Sequence, residues 1–147
     1  MRFASHARGM TLIELMVVVA VVAIIASIAF PSYSSFTRQT NRTDATRTMQ
    51  MAAQSLERCY SRRFTYLACN VNGTVMGNGS TMQTPNLYYT ITLTIPDAQD
   101  YTLTAVPAAA PQTGDSTCAQ FSLSSTGAQA AQDNHAANTT KSCWGSN

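Results

Sequence analysis

Hydrophobic positions in this chain change their rhythm twice. From Met10 to Phe30 they are almost continuous, MTLIELMVVVAVVAIIASIAF, and Glu14 is the single charge. At 1.5 Å per residue such a segment forms a helix about 31 Å long, which matches a bilayer core of about 30 Å. From Tyr33 onward the run becomes a stripe. Tyr33, Phe36, Ala45, Met49, Ala52, Leu56 and Tyr60 recur at helical spacing, while Arg38, Arg42, Asp44 and Arg47 fall between them. A helix from Met10 to about Arg58 would span on the order of 70–75 Å. Pro31 removes one backbone donor within it and weakens the preceding turn. Thr65 to Asn86 carries turn signals (NVNG, GNGS, TPN) and no clear period. Leu87–Ile95, Asp100–Val106 and Thr117–Ser125 then alternate apolar and polar positions and are rich in β-branched and aromatic residues. They predict an antiparallel meander of at least three strands. Ser125 to Asn147 reads as loop, so the fold class is α+β.

Composition narrows this picture. At 147 residues there is room for one domain, and much of the aliphatic content precedes residue 31, so the core of the remainder is small. Small cores commonly need a covalent staple. Four cysteines, Cys59, Cys69, Cys118 and Cys143, form no CxxC pair, and only His6 and His135 could supplement them as ligands. That spacing argues against a metal site. An even count behind an export segment predicts two disulfides in an oxidising compartment, with three pairings open. The formal charge of +2 is too weak to indicate a nucleic-acid protein. Without Arg2 and Arg8, seven basic and seven acidic side chains remain, which suits a subunit stacked against copies of itself.

Residues 1–9, MRFASHARG, are short, polar and basic, and their arginines favour a cytoplasmic N-terminus. A secretory signal would have an apolar region of about 7–15 residues and a small-x-small cleavage site. This run is longer, and Ala26-Ser27-Ile28-Ala29 is a weak site. A plain signal anchor accounts for everything except Glu14. A carboxylate at the middle of a membrane helix costs about 2.5–3.5 kcal/mol, and less near the interface. No Lys, Arg or His lies between Met10 and Phe30 to pair with it.

Gly9-Met10-Thr11-Leu12-Ile13-Glu14, the aliphatic run and Phe30-Pro31-Ser32-Tyr33 closely resemble the N-terminus of type IV pilins. The short leader resembles the IVa class, and Ser142-Cys143-Trp144 resembles the ending of PilE-type minor pilins. The resemblance implies the type IV pilin fold: a long N-terminal helix packed on a small antiparallel sheet, with a disulfide-bounded C-terminal loop. It divides the chain into a leader (1–9), a transmembrane and filament-core helix (10–30) and a globular head (31–147). It implies cleavage after Gly9 and N-methylation of Met10 by a prepilin peptidase/N-methyltransferase. Glu14 would pair with the N-terminal ammonium of a neighbouring subunit. It further implies pairing of Cys59 with Cys69 and of Cys118 with Cys143, the second enclosing a segment that resembles the pilin D-region. Partners would be other pilin subunits, the inner-membrane assembly machinery and, before assembly, membrane lipid. The subunit would cross the inner membrane once with its head outside the cytoplasm, then enter an extracellular pilus. The sequence departs from the family pattern at Met10, where Phe is usual, and at Ala23, where many pilins carry Gly. The function implied is a structural subunit, a minor pilin acting in pilus assembly and hence in twitching motility or adhesion. A major pilin, a competence DNA-uptake pilin and a type II secretion pseudopilin are the alternatives.

No catalytic set or cofactor site is legible. His135 lies in a polar stretch beside Asp133 and Asn134, which favours a solvated side chain over a general base. No Gly-rich phosphate loop follows a strand. Arg58, Arg62 and Arg63, interleaved with Tyr60, Phe64 and Tyr66, form the one basic-aromatic cluster. It has two readings: a DNA contact, or cations at a helix C-terminus with aromatics in the core. The second is preferred, because three arginines make a weak electrostatic footprint. Asn41, Asn72, Asn78 and Asn138 match the N-x-Ser/Thr acceptor pattern, as composition alone would produce in an Asn- and Thr-rich chain. The pilin resemblance generates one direct expectation. Intact-mass analysis of exported protein should give a mature chain that begins at a methylated Met10, whereas a start at Phe30 or Pro31 would establish an ordinary secretory signal.

Overall fold

The computed structural model describes residues 10–145, without the side chains at 30–32. The leader, including Gly9, lies outside the described residues, as do the side chains of Phe30 and Pro31. The chain divides into two compact units, Met1–Phe36 and Thr37–Asn147.

Helix α1 (Leu12–Arg63) begins in the first unit. Its start is fixed by Thr11, whose Oγ1 accepts the Glu14 N–H at 3.3 Å. Thr-x-x-Glu is the spacing of a capping box, and an acidic residue in the first turn suits the helix dipole. Through this stretch the aliphatic side chains are exposed, from Leu12 to Ile28. The helix contains a segment long and apolar enough to cross a membrane.

In the second unit α1 changes character. Ala45, Met49, Ala52 and Leu56 have no exposed surface and Tyr60 packs at the margin of the core, while Tyr33 and Phe36, placed in the same stripe by sequence, belong to the first unit and are exposed. The helix also runs one turn past Arg58, to Arg63. Two strands follow as a separate hairpin, β1 (Cys69–Val71) and β2 (Thr74–Met76). Its turn is Asn72-Gly73, with φ of 51° and 86°, the two positive values that a type I′ connection requires. A five-stranded antiparallel sheet then runs in chain order: β3 (Thr81–Gln83), β4 (Tyr89–Asp97), β5 (Asp100–Pro107), β6 (Gln120–Ser124) and β7 (Gln129–Gln132). The meander is thus longer than the three strands legible in sequence. The tail read as loop contains β7 and a short helix α2 (Thr140–Trp144). In β4 and β5 alternate residues point inward: Tyr89, Ile91, Leu93 and Ile95, then Tyr101, Leu103 and Ala105. They meet the α1 stripe together with Phe121 and Leu123 of β6.

Polar anchors lock the connection between β5 and β6 to α1. Asp115, almost wholly buried, takes two charge-assisted bonds from Arg42, Nε to Oδ2 and Nη2 to Oδ1, both 2.6 Å. Its Oδ1 also accepts the backbone N–H groups of Thr117 and Cys118 at 3.3 Å. Gln112, fully buried, donates from Nε2 to the Tyr89 hydroxyl at 2.6 Å and to the Arg38 carbonyl at 3.3 Å, and accepts from Asn41 Nδ2 at 3.3 Å. Two disulfides close the unit, Cys59–Cys69 and Cys118–Cys143.

Burial pushes the Asp115 carboxyl upward, but the bonds and charge of Arg42 and the backbone donors outweigh it and hold the group below the usual carboxylate range. A depressed folded value means the stabilisation is complete above the unfolded value, about pH 3.9, and is lost as pH falls from there toward the folded value. Arg42→Ala should therefore lower stability at neutral pH by about 3 kcal/mol, because it leaves a buried carboxylate unpaired. Urea unfolding across pH should show the gap between parent and variant shrinking below about pH 4. A gap independent of pH through that window would assign the loss to packing instead.

Candidate functional site

The last turns of α1 and the β1–β2 hairpin face each other across an open groove of about 590 Å³. Ser55, Arg58, Arg62 and Arg63 line the helix side; Ala68, Asn70, Asn72 and Val75 line the other. The groove exists because Cys59 and Cys69, joined as a disulfide, hold β1 against the helix end with a Cα–Cα distance of 5.8 Å. Val71 and Met76 press the same hairpin into the core. Asn70 stiffens its turn by accepting the Gly73 N–H at 2.8 Å. The structure therefore brings the three sequence-selected arginines to one place and adds Asn70 and Asn72, whose sequence context shows only turn and acceptor-pattern signals.

All three arginines are exposed. Arg63 Nη1 donates to the Ala68 carbonyl at 2.9 Å and Arg58 Nη2 to Ser55 Oγ at 3.0 Å. Among the described residues none of the three pairs with a carboxylate; the one ion pair is Arg42–Asp115. Their positions in the last turns also place positive charge at the negative end of the helix dipole, so the structural role is real. Positive charge on an open groove, with guanidinium donors left over, is nevertheless suited to an anionic ligand.

The interleaved aromatics divide. Tyr66 is buried and stacks on Tyr60 with ring centroids 4.5 Å apart. Its hydroxyl donates to Glu57, 3.1 Å to Oε1 and 3.2 Å to Oε2. Burial, then that bond to a carboxylate, raises its pKa to about 12. Tyr60 and Tyr66 thus belong to the core, as the plainer sequence reading has it. Phe64 does not; it stands in solvent. A second groove, touching Glu57, Arg58, Tyr101 and the Ser124–Gly127 turn, lies on the other flank of the helix.

Of the remaining sequence-selected residues, Met10 and Glu14 are exposed at the start of α1. His135 is exposed, and its backbone N–H is bonded to Asp133 Oδ1 at 2.8 Å. Asn41 is buried, while Asn72, Asn78 and Asn138 are exposed.

Comparison with known proteins covers both segments. Residues 4–30 match the prokaryotic N-terminal methylation motif. No curated protein sequence matches the chain significantly. Residues 31–122 match the family described as type IV minor pilin ComP, DNA uptake sequence receptor. That match spans more than half of the chain, and with the long N-terminal helix, the antiparallel sheet and the Cys118–Cys143 bond it settles the architecture: the protein is a type IV pilin of α+β fold and belongs to this minor-pilin family.

Proposed function

We propose that this minor pilin carries DNA on the groove between the end of α1 and the β1–β2 hairpin. The supporting observation is the concurrence of three exposed arginines without carboxylate partners among the described residues and two hairpin amides, in a head whose family is described as a DNA uptake sequence receptor. Guanidinium groups would bind phosphates and position the strand. Asn72 would offer the paired donor and acceptor that base edges recognise, and Asn70, whose Oδ1 holds the Gly73 N–H, its Nδ2 donor. Other pilin subunits, the prepilin peptidase and the membrane assembly machinery are the partners of the N-terminal segment, with cleavage after Gly9 and methylation at Met10.

Glu14 carries the assembly half of this reading. Among the residues described from 10 to 30 it has no cationic neighbour in its own chain, and in a filament the ammonium of a second subunit would supply one. Two unit charges at about 4 Å attract by about 4 kcal/mol at an effective dielectric of 20, before desolvation is subtracted. The capping bond to Thr11 comes from the Glu14 backbone N–H, so it survives replacement of the side chain. Glu14→Val should leave membrane insertion and leader cleavage intact and reduce the sheared-pilus fraction relative to the membrane fraction. Equal entry of parent and variant into pili would remove the charge-pairing role.

DNA binding has its own test. For the mature chain in detergent, log affinity should fall linearly with log salt. Arg62→Ala should weaken binding to all sequences and reduce the slope by about one. Unchanged affinity and slope in an Arg58→Ala, Arg62→Ala, Arg63→Ala triple variant would leave these residues as helix-end cations alone.

A further inference from the structure

Phe64 occupies a position that its residue type does not suit. It is the first residue beyond α1, its N–H still donates to the Tyr60 carbonyl at 2.7 Å, and its φ is 57°. The left-handed conformation past a helix end favours Gly, and a bulky side chain there is an outlier. Burial does not offset the strain, because the residue is 76% exposed.

The ring is nonetheless held. Its edge-to-face contact with Tyr60 has a centroid distance of 6.5 Å and an interplanar angle of 69°. Tyr60 stacks on Tyr66, and Tyr66 meets Tyr101 edge to face at 4.8 Å. Four rings therefore form a ladder from core to surface, fastened inside by the Tyr66 hydroxyl on Glu57. An exposed ring restrained in this way loses little freedom when it captures a ligand. It directly follows Arg62 and Arg63 in the chain, so an exposed aromatic ring and two cations share one helix end.

From this geometry we infer that Phe64 is a stacking platform for an unpaired nucleobase of DNA. The inference rests on the DNA reading of the arginine groove at the same helix end and names the form of DNA that the head takes. Phosphates on guanidinium groups and a base on an aromatic face are the two halves of single-strand recognition. A base inside an intact duplex already has both faces covered. The substrate class is therefore DNA with a single-stranded or frayed segment.

The test uses the mature full-length chain in detergent, with a labelled single strand and the blunt duplex of the same sequence as probes. Phe64→Gly removes the ring and gives the left-handed position its favoured residue, so the thermal midpoint and circular dichroism should remain those of a folded head. Its affinity for the single strand should fall by about 5- to 150-fold, the usual effect of losing one stacked base. Its duplex affinity and its salt slope should stay near those of the parent. Phe64→Trp should keep single-strand affinity, since stacking tolerates any large aromatic face. Single-strand affinity unchanged by Phe64→Gly, or equal losses on both probes, would overturn the inference. So would loss of pilus entry with DNA binding intact, which would make the ring a contact between subunits. If the parent binds neither probe, the DNA reading of the groove fails and the stacking role with it; if the parent binds and Phe64→Gly binds as well, only the stacking role fails.

Discussion

The head depends on the alternation of small and large residues along one stripe of α1. Ala45 and Ala52 let the sheet come close to the helix backbone, and Met49 and Leu56 fill the spaces that result. Larger residues at the alanines would push the sheet away; smaller ones at Met49 or Leu56 would leave cavities. Facing this stripe, Ile91, Leu93, Leu103 and Phe121 are all without exposed surface. Each such side chain contributes about 1.5–3 kcal/mol through removal from water. The core is nevertheless short, and conformational entropy opposes it along the whole unit. That is why the covalent and polar anchors sit where the stripe ends rather than within it.

Two kinds of anchor act at opposite ends of the stripe. At one end Arg38, Asn41 and Arg42 grip Gln112 and Asp115, so a connection with no regular partner strand is fixed to the helix by side chains. The Tyr89 hydroxyl accepts from Gln112, which joins the same network to the main sheet. Burial is the chief reason that this phenol is pushed up to about 12, with the Asp115 charge adding to it. At the other end Cys59–Cys69 ties the helix to β1. Closing a loop of that size restrains the unfolded chain by roughly 3 kcal/mol in the chain-entropy account. The second bond, Cys118–Cys143, draws α2 back to the start of β6, where Trp144 donates from Nε1 to the Ala130 carbonyl at 2.8 Å and meets Phe121 edge to face.

The legible parts of this fold were those with a strong period. The continuous apolar run, the Ala45–Leu56 stripe and the alternation of β4 and β5 each repeat often enough to be read directly. β1, β2 and β3 have three residues each, too few for a period of two to stand out from turn composition. β7 reads Gln-Ala-Ala-Gln, with no β-branched or aromatic residue; it is a strand because β6 presents an unpaired edge to it, which is a tertiary cause. α1 outran its expected end because Cys59 and Tyr60 are held by the disulfide and by Tyr66, contacts that sequence spacing does not display. The three arginines could be named from sequence, but their groove could not, since its far wall is the hairpin that lacked a readable period.

That difficulty has a physical basis. The proposed DNA face combines exposed donors with open aromatic surface, the features that weaken a local folding signal. Asn70, Asn72 and Gly73 make a poor strand by composition, and Phe64 makes a poor helix terminus by conformation. The hairpin is not part of the five-stranded sheet, so beyond its own β1–β2 pairing it gains no stability from a neighbouring strand. Its geometry is instead imposed from outside, by Cys59–Cys69 and by Val71 and Met76 in the core. The same holds for Phe64, whose ring is directed by Tyr60 and not by its own backbone preference. A surface assembled this way can present side chains chosen for recognition, because rigid neighbours supply the order that those side chains do not. Its order should then be lost before that of the sheet, since its restraints are one disulfide, two buried side chains and a ring contact rather than the long hydrogen-bond ladders of β4 and β5.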